Sequence, residues 1–153
     1  HIKEVTPDSL NYLIKDMFET ITLYQNRVVE TKSEKLDNGK YKVDIEFKVS
    51  KYRNNEKGRA FYGEEERDSI TYQSDDMKKP EYSVFLKDYI DIGIFGEDND
   101  EKEIELYLKK HKISKIHNKI SIIVDQEPIE VGIDPYNKLI DTNSEDNRMK
   151  IEK

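Results

Sequence analysis

Residues 33–52 read SEKLDNGKYKVDIEFKVSKY, and this stretch decides the fold. Asp37-Asn38-Gly39 stands between two runs that alternate apolar and polar residues. Asn and Gly tolerate the positive φ that tight hairpin turns need, so the pattern predicts a β-hairpin. After the turn, Tyr41, Val43, Ile45, Phe47 and Val49 fall on one side, and Lys42, Asp44, Glu46, Lys48 and Ser50 on the other. Successive strand side chains point to opposite faces, so one face enters a core and the other meets water. RVVETKSEKL, before the turn, supplies the partner strand.

Toward the C-terminus the same period returns. Ile90, Ile92 and Ile94 alternate in SVFLKDYIDIGIFG, and GEDNDEK turns the chain at 96–102. Ile104, Leu106 and Leu108 follow, then Ile120, Ile122 and Val124, then Ile129, Val131 and Ile133. Residues 54–58 form another turn. Residues 63–81 are polar and without period, which reads as a long loop with a short edge strand at Ile70–Tyr72. Short strands at regular spacing predict a mainly β domain, an immunoglobulin-like antiparallel β-sandwich of about seven strands. There is no internal repeat and no low-complexity tract.

Toward the N-terminus the period changes to that of a helix. In TPDSLNYLIKDMFETITLY, residues 6–24, Thr6 fits an N-cap, Pro7 the first helical position and Asp8 the positive end of the dipole. Leu10, Leu13, Ile14, Met17, Phe18 and Ile21 share one helical face. The division expected is therefore a helix over 1–25, a sandwich over 26–134, and a short helical turn with a polar tail over 135–153.

The chain has 153 residues, enough for one core. Charged residues make up 39% against 35% hydrophobic, and ten Tyr with five Phe supply the burial that such a polar chain needs to fold. The net charge of −7 and the interleaving of Lys with acids disfavour nucleic acid, which needs clustered cations. The absence of Cys removes disulfides, thiolate nucleophiles and Cys-ligated zinc. No apolar run approaches the roughly 20 residues of a membrane helix, so no direct membrane insertion is expected. No signal peptide is visible, and a start at His1 instead of Met fits a processed or excised piece.

The oxygen-rich run GIDPYNKLIDTNSEDN, residues 132–147, poses the sharpest question of function. Asp141, Asn143, Glu145 and Glu152 occupy positions 1, 3, 5 and 12 of a calcium-loop count. Position 6 is Asp146 where the sharp turn wants Gly, and position 8 is Arg148 where an apolar residue belongs. The alternative is structural. Asp134-Pro135 would cap a short helical turn, with Tyr136, Leu139 and Ile140 tucked onto the sandwich as a latch. His111 and His117 are even-spaced, but a turn at Ser114–Asn118 breaks their register, and no HExxH occurs. No serine sits in a G-x-S-x-G elbow, and acid runs such as Glu64-Glu65-Glu66 read as solvated faces. No catalytic residue, cofactor-binding residue or metal ligand is assigned. Tyr52, Phe61, Tyr62, Tyr72 and Tyr82 would line the groove of a peptide- or glycan-binding module, the main alternative beside a calcium-stabilised adhesion-like domain.

Two segments carry a resemblance. They are EVTPDSLNYLIKDMFETITLYQNRV, Glu4 to Val28, and the series DYIDIGIFGED, LYLKKHKI and IIVDQEPIEVGIDPYNKLIDTNSEDN. Together they resemble the C-terminal part of Bacteroidetes-type membrane proteins that join a multi-span transporter-permease-like region to a zinc aminopeptidase-like domain of the gluzincin type. Thr142 stands where that pattern has Arg, and Ser144-Glu145-Asp146-Asn147 where it has a Pro-Asp-Asp-Asn run. The resemblance is weakest over residues 50–82. It implies a non-catalytic C-terminal accessory domain that supports or positions an upstream peptidase-like domain of the same polypeptide. Zinc would belong to that upstream domain, and no zinc ligand carries over to this chain. The resemblance also implies a soluble, extracytoplasmic domain tethered to a bacterial membrane by upstream spans. A homodimer through the N-terminal helix is a further expectation, from its apolar face.

Overall fold

The computed structural model describes residues 2–14, 18, 21–54, 60–62, 65–66 and 86–152. It is mainly β, with two antiparallel sheets. The strands are β1 (Ile21–Lys35), β2 (Tyr41–Asn54), β3 (Ala60–Tyr62), β4 (Glu65–Glu66), β5 (Asp88–Glu97), β6 (Glu103–Ile113), β7 (His117–Val124), β8 (Glu130–Ile133) and β9 (Arg148–Lys150). The first sheet runs β1-β2-β3-β4, with β7 also on β2; the second runs β6-β5-β8-β9.

The hairpin of the opening stretch is β1 and β2, paired from Ile21↔Asn54 to Lys35↔Tyr41. At its tip Gly39 takes φ 82, and Asn38 Oδ1 accepts a hydrogen bond from Lys40 N. Val43, Ile45, Phe47 and Val49 of β2 are buried and pack with Tyr24 and Val28 of β1. Ile90, Ile92 and Ile94 of β5, with Val131, Ile133 and Ile151, complete the same core from the second sheet. The opposite face of the first sheet is charged, with Lys119 on Glu46, Ser121 donating to Asp44, and Lys42 Nζ 3.0 Å from Asp44.

The continuous N-terminal helix is not what the described residues form. They hold two single turns, α1 (Ile2–Val5) and α2 (Asn11–Ile14), with a 3-10 turn at Asp8–Leu10 between them. Strand begins at Ile21 instead of residue 26, so Ile21–Tyr24 belongs to the sandwich and not to a helix. From Thr22 to Val28 a two-residue period runs beneath the helical one, and Thr22, Tyr24, Asn26 and Val28 are buried. Pairing with β2 satisfies every second backbone group there, and tertiary pairing outweighs local propensity.

A second difference lies in β6. A register shift at Ile94/Phe95 places Tyr107 opposite Ile94 and Glu105 opposite Phe95, leaving Leu106 as the extra residue. Ile104, Leu106 and Leu108 therefore do not share one face, and Leu108 lies opposite Gly93. The strand expected at Ile70–Tyr72 lies outside the described residues.

Candidate functional site

The run from Gly132 to Asn147 leaves the sheet at β8 and folds back over two surfaces. Asp134 is 1% exposed and takes φ 45. Its main-chain N–H donates to Asp91 O at 2.7 Å, and its carboxylate accepts from Lys138 N at 3.1 Å and Leu139 N at 2.8 Å. Asn137 N donates to Asp134 O, closing a turn in which Asn137 also has positive φ. This is a single turn held by an Asp side chain, not the start of a helix. Pro135 is buried, Tyr136 is half exposed, Leu139 packs partly on the core, and Ile140 is 66% exposed instead of tucked.

Beyond the turn the chain runs along the edge of β1. Tyr24 N donates to Ile140 O at 2.8 Å and Thr142 N to Tyr24 O at 3.0 Å, a parallel bridge. Asp141 pins it, accepting from Asn26 N at 2.9 Å on Oδ2 and from Asn143 N at 3.0 Å on Oδ1. Asn147 is fully buried; with its amide turned to suit its neighbours, Nδ2 donates to Asn26 O and to Asp141. Burial pushes the carboxyls of Asp134, Asp141 and Asp146 above the usual aspartate range.

The outer face of the second sheet carries its own small packing cluster. Gly93 pairs with Gly132 across β5 and β8; the Phe95 ring lies over Gly93, and Pro135 and Arg148 lie over Gly132. A Cβ on Gly93 would stand 2.7 Å from that ring and 3.1 Å from Pro135 Cγ. Phe95 is fully buried; Tyr136 meets it edge-on at 6.1 Å, and the Arg148 guanidinium caps it at 4.2 Å from the ring centre. Arg148 is held in turn by Glu130 at 2.7 Å and by Glu103. Beside the cluster Asp91 is buried and bonds Lys138 Nζ at 2.8 Å, with Lys110 at 3.5 Å. Burial raises the Asp91 carboxyl, but the Lys138 hydrogen bond and the two lysine charges outweigh that and leave it lowered.

The third polar feature lies on the core face, and the sequence pattern alone did not single it out. Lys51 continues the inward series of β2, and Asp88 starts the inward series of β5. Lys51 Nζ lies 2.9 Å from Asp88 Oδ1 and 3.1 Å from Oδ2, with side-chain exposures of 0% and 7%. Tyr24, which faces Lys51 in the β1–β2 register, donates its hydroxyl to Asp88 Oδ1 at 3.0 Å. The signal was the alternation itself: carried one step past Val49 and one step before Ile90, it puts a cation and an anion inside.

The four calcium candidates are not brought together. Both oxygens of Asp141 accept main-chain N–H groups, Glu145 sits in an exposed 3-10 turn, and Glu152 lines a separate open cleft with Val29, Lys32 and Met149. Asn143 offers its main-chain N–H to Asp141. Among the described residues no group of three His, Asp or Glu is placed to hold a metal ion. His111 instead bonds the Tyr107 hydroxyl at 2.7 Å, and burial lowers its pKa. Of the proposed ring groove, Tyr52 lies on β2 and Phe61 and Tyr62 on β3, while Tyr72 and Tyr82 fall outside the described residues. Among the described residues no helix is long and apolar enough to cross a membrane. No protein-family model, no curated protein and no solved structure matches the chain.

The Asp134 turn makes a pH prediction. Its raised carboxyl binds a proton more tightly in the folded chain than in the unfolded one. The associated stability is complete below the ordinary value of 3.8 and is lost as pH rises through the folded value. Asp134→Asn removes the titration and one carboxylate–amide bond, at a cost of about 1–3 kcal/mol. That cost is expected to be larger near the ordinary aspartate value than at neutrality, as read by urea titrations of both proteins. A cost that grows toward neutrality would show that the two N–H donors, not burial, control the group.

Proposed function

We propose that this chain is a non-catalytic accessory β-domain that docks on and positions a neighbouring domain of its own polypeptide. Its outward apolar side chains carry the proposal. Val5, Phe18 and Ile21 are 78%, 66% and 49% exposed, and Ile140, whose carbonyl bonds Tyr24 on the strand that Ile21 begins, is 66% exposed. Large apolar groups left this exposed in a chain that is 39% charged are candidates for a contact surface. The buried carboxylates, by contrast, are spent on main-chain N–H groups and lysines, which suits a rigid support better than a reaction centre.

Taken with the resemblance, the neighbour is the zinc aminopeptidase-like region of a bacterial membrane protein, and this domain lies outside the membrane, tethered by spans in the preceding polypeptide. Hydrogen exchange on the chain alone and on the chain joined to the region encoded directly upstream tests this. Slower exchange at Val5–Leu10 and Ile21–Tyr24 in the joined protein is the expected result. Equal exchange, or an upstream sequence without a peptidase-like region, overturns it. So does hydrolysis of aminopeptidase substrates by the isolated chain.

A further inference from the structure

We propose that Lys51 and Asp88 are an intramolecular cross-linking pair that condenses to an amide, joining the two sheets covalently. A lysine with no exposed side-chain surface carries a large desolvation cost, and a buried ion pair recovers it only in part. Amide formation removes both charges at once. The geometry brings the two groups together away from water. The ammonium nitrogen sits 2.9 and 3.1 Å from the two oxygens of a single carboxylate, in a site lined by the core. Groups held in contact and aligned for attack react as if one were present at about 10⁵ M or more.

The roles divide between the two oxygens. Oδ1 accepts from Lys51 and also from the Tyr24 hydroxyl, which polarises that C–O bond and fits it to become the amide carbonyl. Oδ2 accepts from the main-chain N–H of Lys87 and from Lys51, and is the oxygen that leaves. One proton passes from the ammonium to the carboxylate, giving a neutral amine beside a carboxylic acid. The amine lone pair attacks Cγ, the Cγ–Oδ2 bond breaks, and a second proton from nitrogen completes the departing water. The third nitrogen proton stays on the amide. No oxidant, reductant or external group enters. Tyr24 is a positioning residue: strand register sets it beside Lys51, and it acts on the reacting carboxyl through one hydrogen bond.

The bond would tie β2 of the first sheet to β5 of the second, across the core. Intact mass spectrometry of the folded chain reads it directly. The wild-type protein is expected to be lighter than its sequence mass by one water, and a tryptic digest to contain one branched peptide joining the segments of Lys51 and Asp88. Lys51→Arg is expected to return to its full sequence mass. Asp88→Asn, which keeps the shape of the pair, is expected to lose ammonia in place of water. Tyr24→Phe should slow bond formation after refolding while leaving the fold intact by circular dichroism. A folded wild-type chain that keeps its full mass on prolonged incubation overturns the proposal. A water loss that persists in Lys51→Arg overturns it equally, because the dehydration would then lie elsewhere.

Discussion

Phe95→Ala is expected to lower the unfolding free energy by about 3–5 kcal/mol, the range for deleting a buried aromatic. Phe95 lies on the side of the second sheet that a plain sandwich would give to water, yet it is fully buried. Gly93 leaves the sheet bare beneath the ring, Pro135 packs over both Gly93 and Gly132 beside it, and Arg148 closes the top. Truncation opens a cavity that no neighbour is placed to fill. The sheet backbone cannot move up, the proline is held by the Asp134 turn, and Arg148 is fixed by Glu130 and Glu103. The stacked guanidinium is lost as well, worth about 0.5–2 kcal/mol. Urea unfolding measures the effect, with Tyr136→Ala as the comparison, because its ring is 44% exposed and its hydroxyl bonds the exposed Glu105. The Tyr136 change is expected to cost about 1 kcal/mol or less, as surface changes do. Equal costs at the two positions would mean that the outer cluster does not act as a core.

The contrast between these features explains what the sequence could disclose. The β1–β2 hairpin was legible because its signals are local: a turn tripeptide and a two-residue period over one continuous stretch. The N-terminal segment misleads because Ile21 ends a helical series and Thr22 begins a strand series, so both periods are present and pairing with β2 chooses. The β6 alternation breaks at Leu106, the extra residue of the register shift, so Leu108 falls opposite Gly93 and off the face of Ile104. Gly93, Phe95 and Gly132 belong to one cluster whose members sit on different strands: the ring needs Gly93, and the Pro135 and Arg148 that enclose it need Gly132. Lys51 and Asp88 are 37 positions apart and in different sheets, so their meeting follows only from the way the sheets stack. The acids of residues 134–146 were legible as turn formers, but not as ties to β1, because Asn26, which Asp141 holds, is 115 positions away.

Deleting residues 132–153 is expected to abolish cooperative unfolding altogether. The deletion removes Ile133 and Ile151 from the core, each worth about 1.5–3 kcal/mol on burial. It removes β9 and its pairing with β8, and it uncovers Phe95 by taking away Pro135 and Arg148. It also frees the main-chain N–H groups of Asn26 and Tyr24, which bond Asp141 and Ile140. These losses together match or exceed the roughly 5–15 kcal/mol by which a domain is stable. The single change Asp141→Ala isolates one of them. It strands the Asn26 N–H in a buried position and is expected to cost about 1–3 kcal/mol while the transition stays cooperative. Circular dichroism melts of the wild type, the point variant and the truncated chain separate the cases. A truncated chain that melts as the wild type does would make the segment a dispensable tail. A graded loss, small for Asp141→Ala and complete for the deletion, makes it a latch: one turn and one bridge that hold the second sheet, its outer cluster and the edge of β1 together.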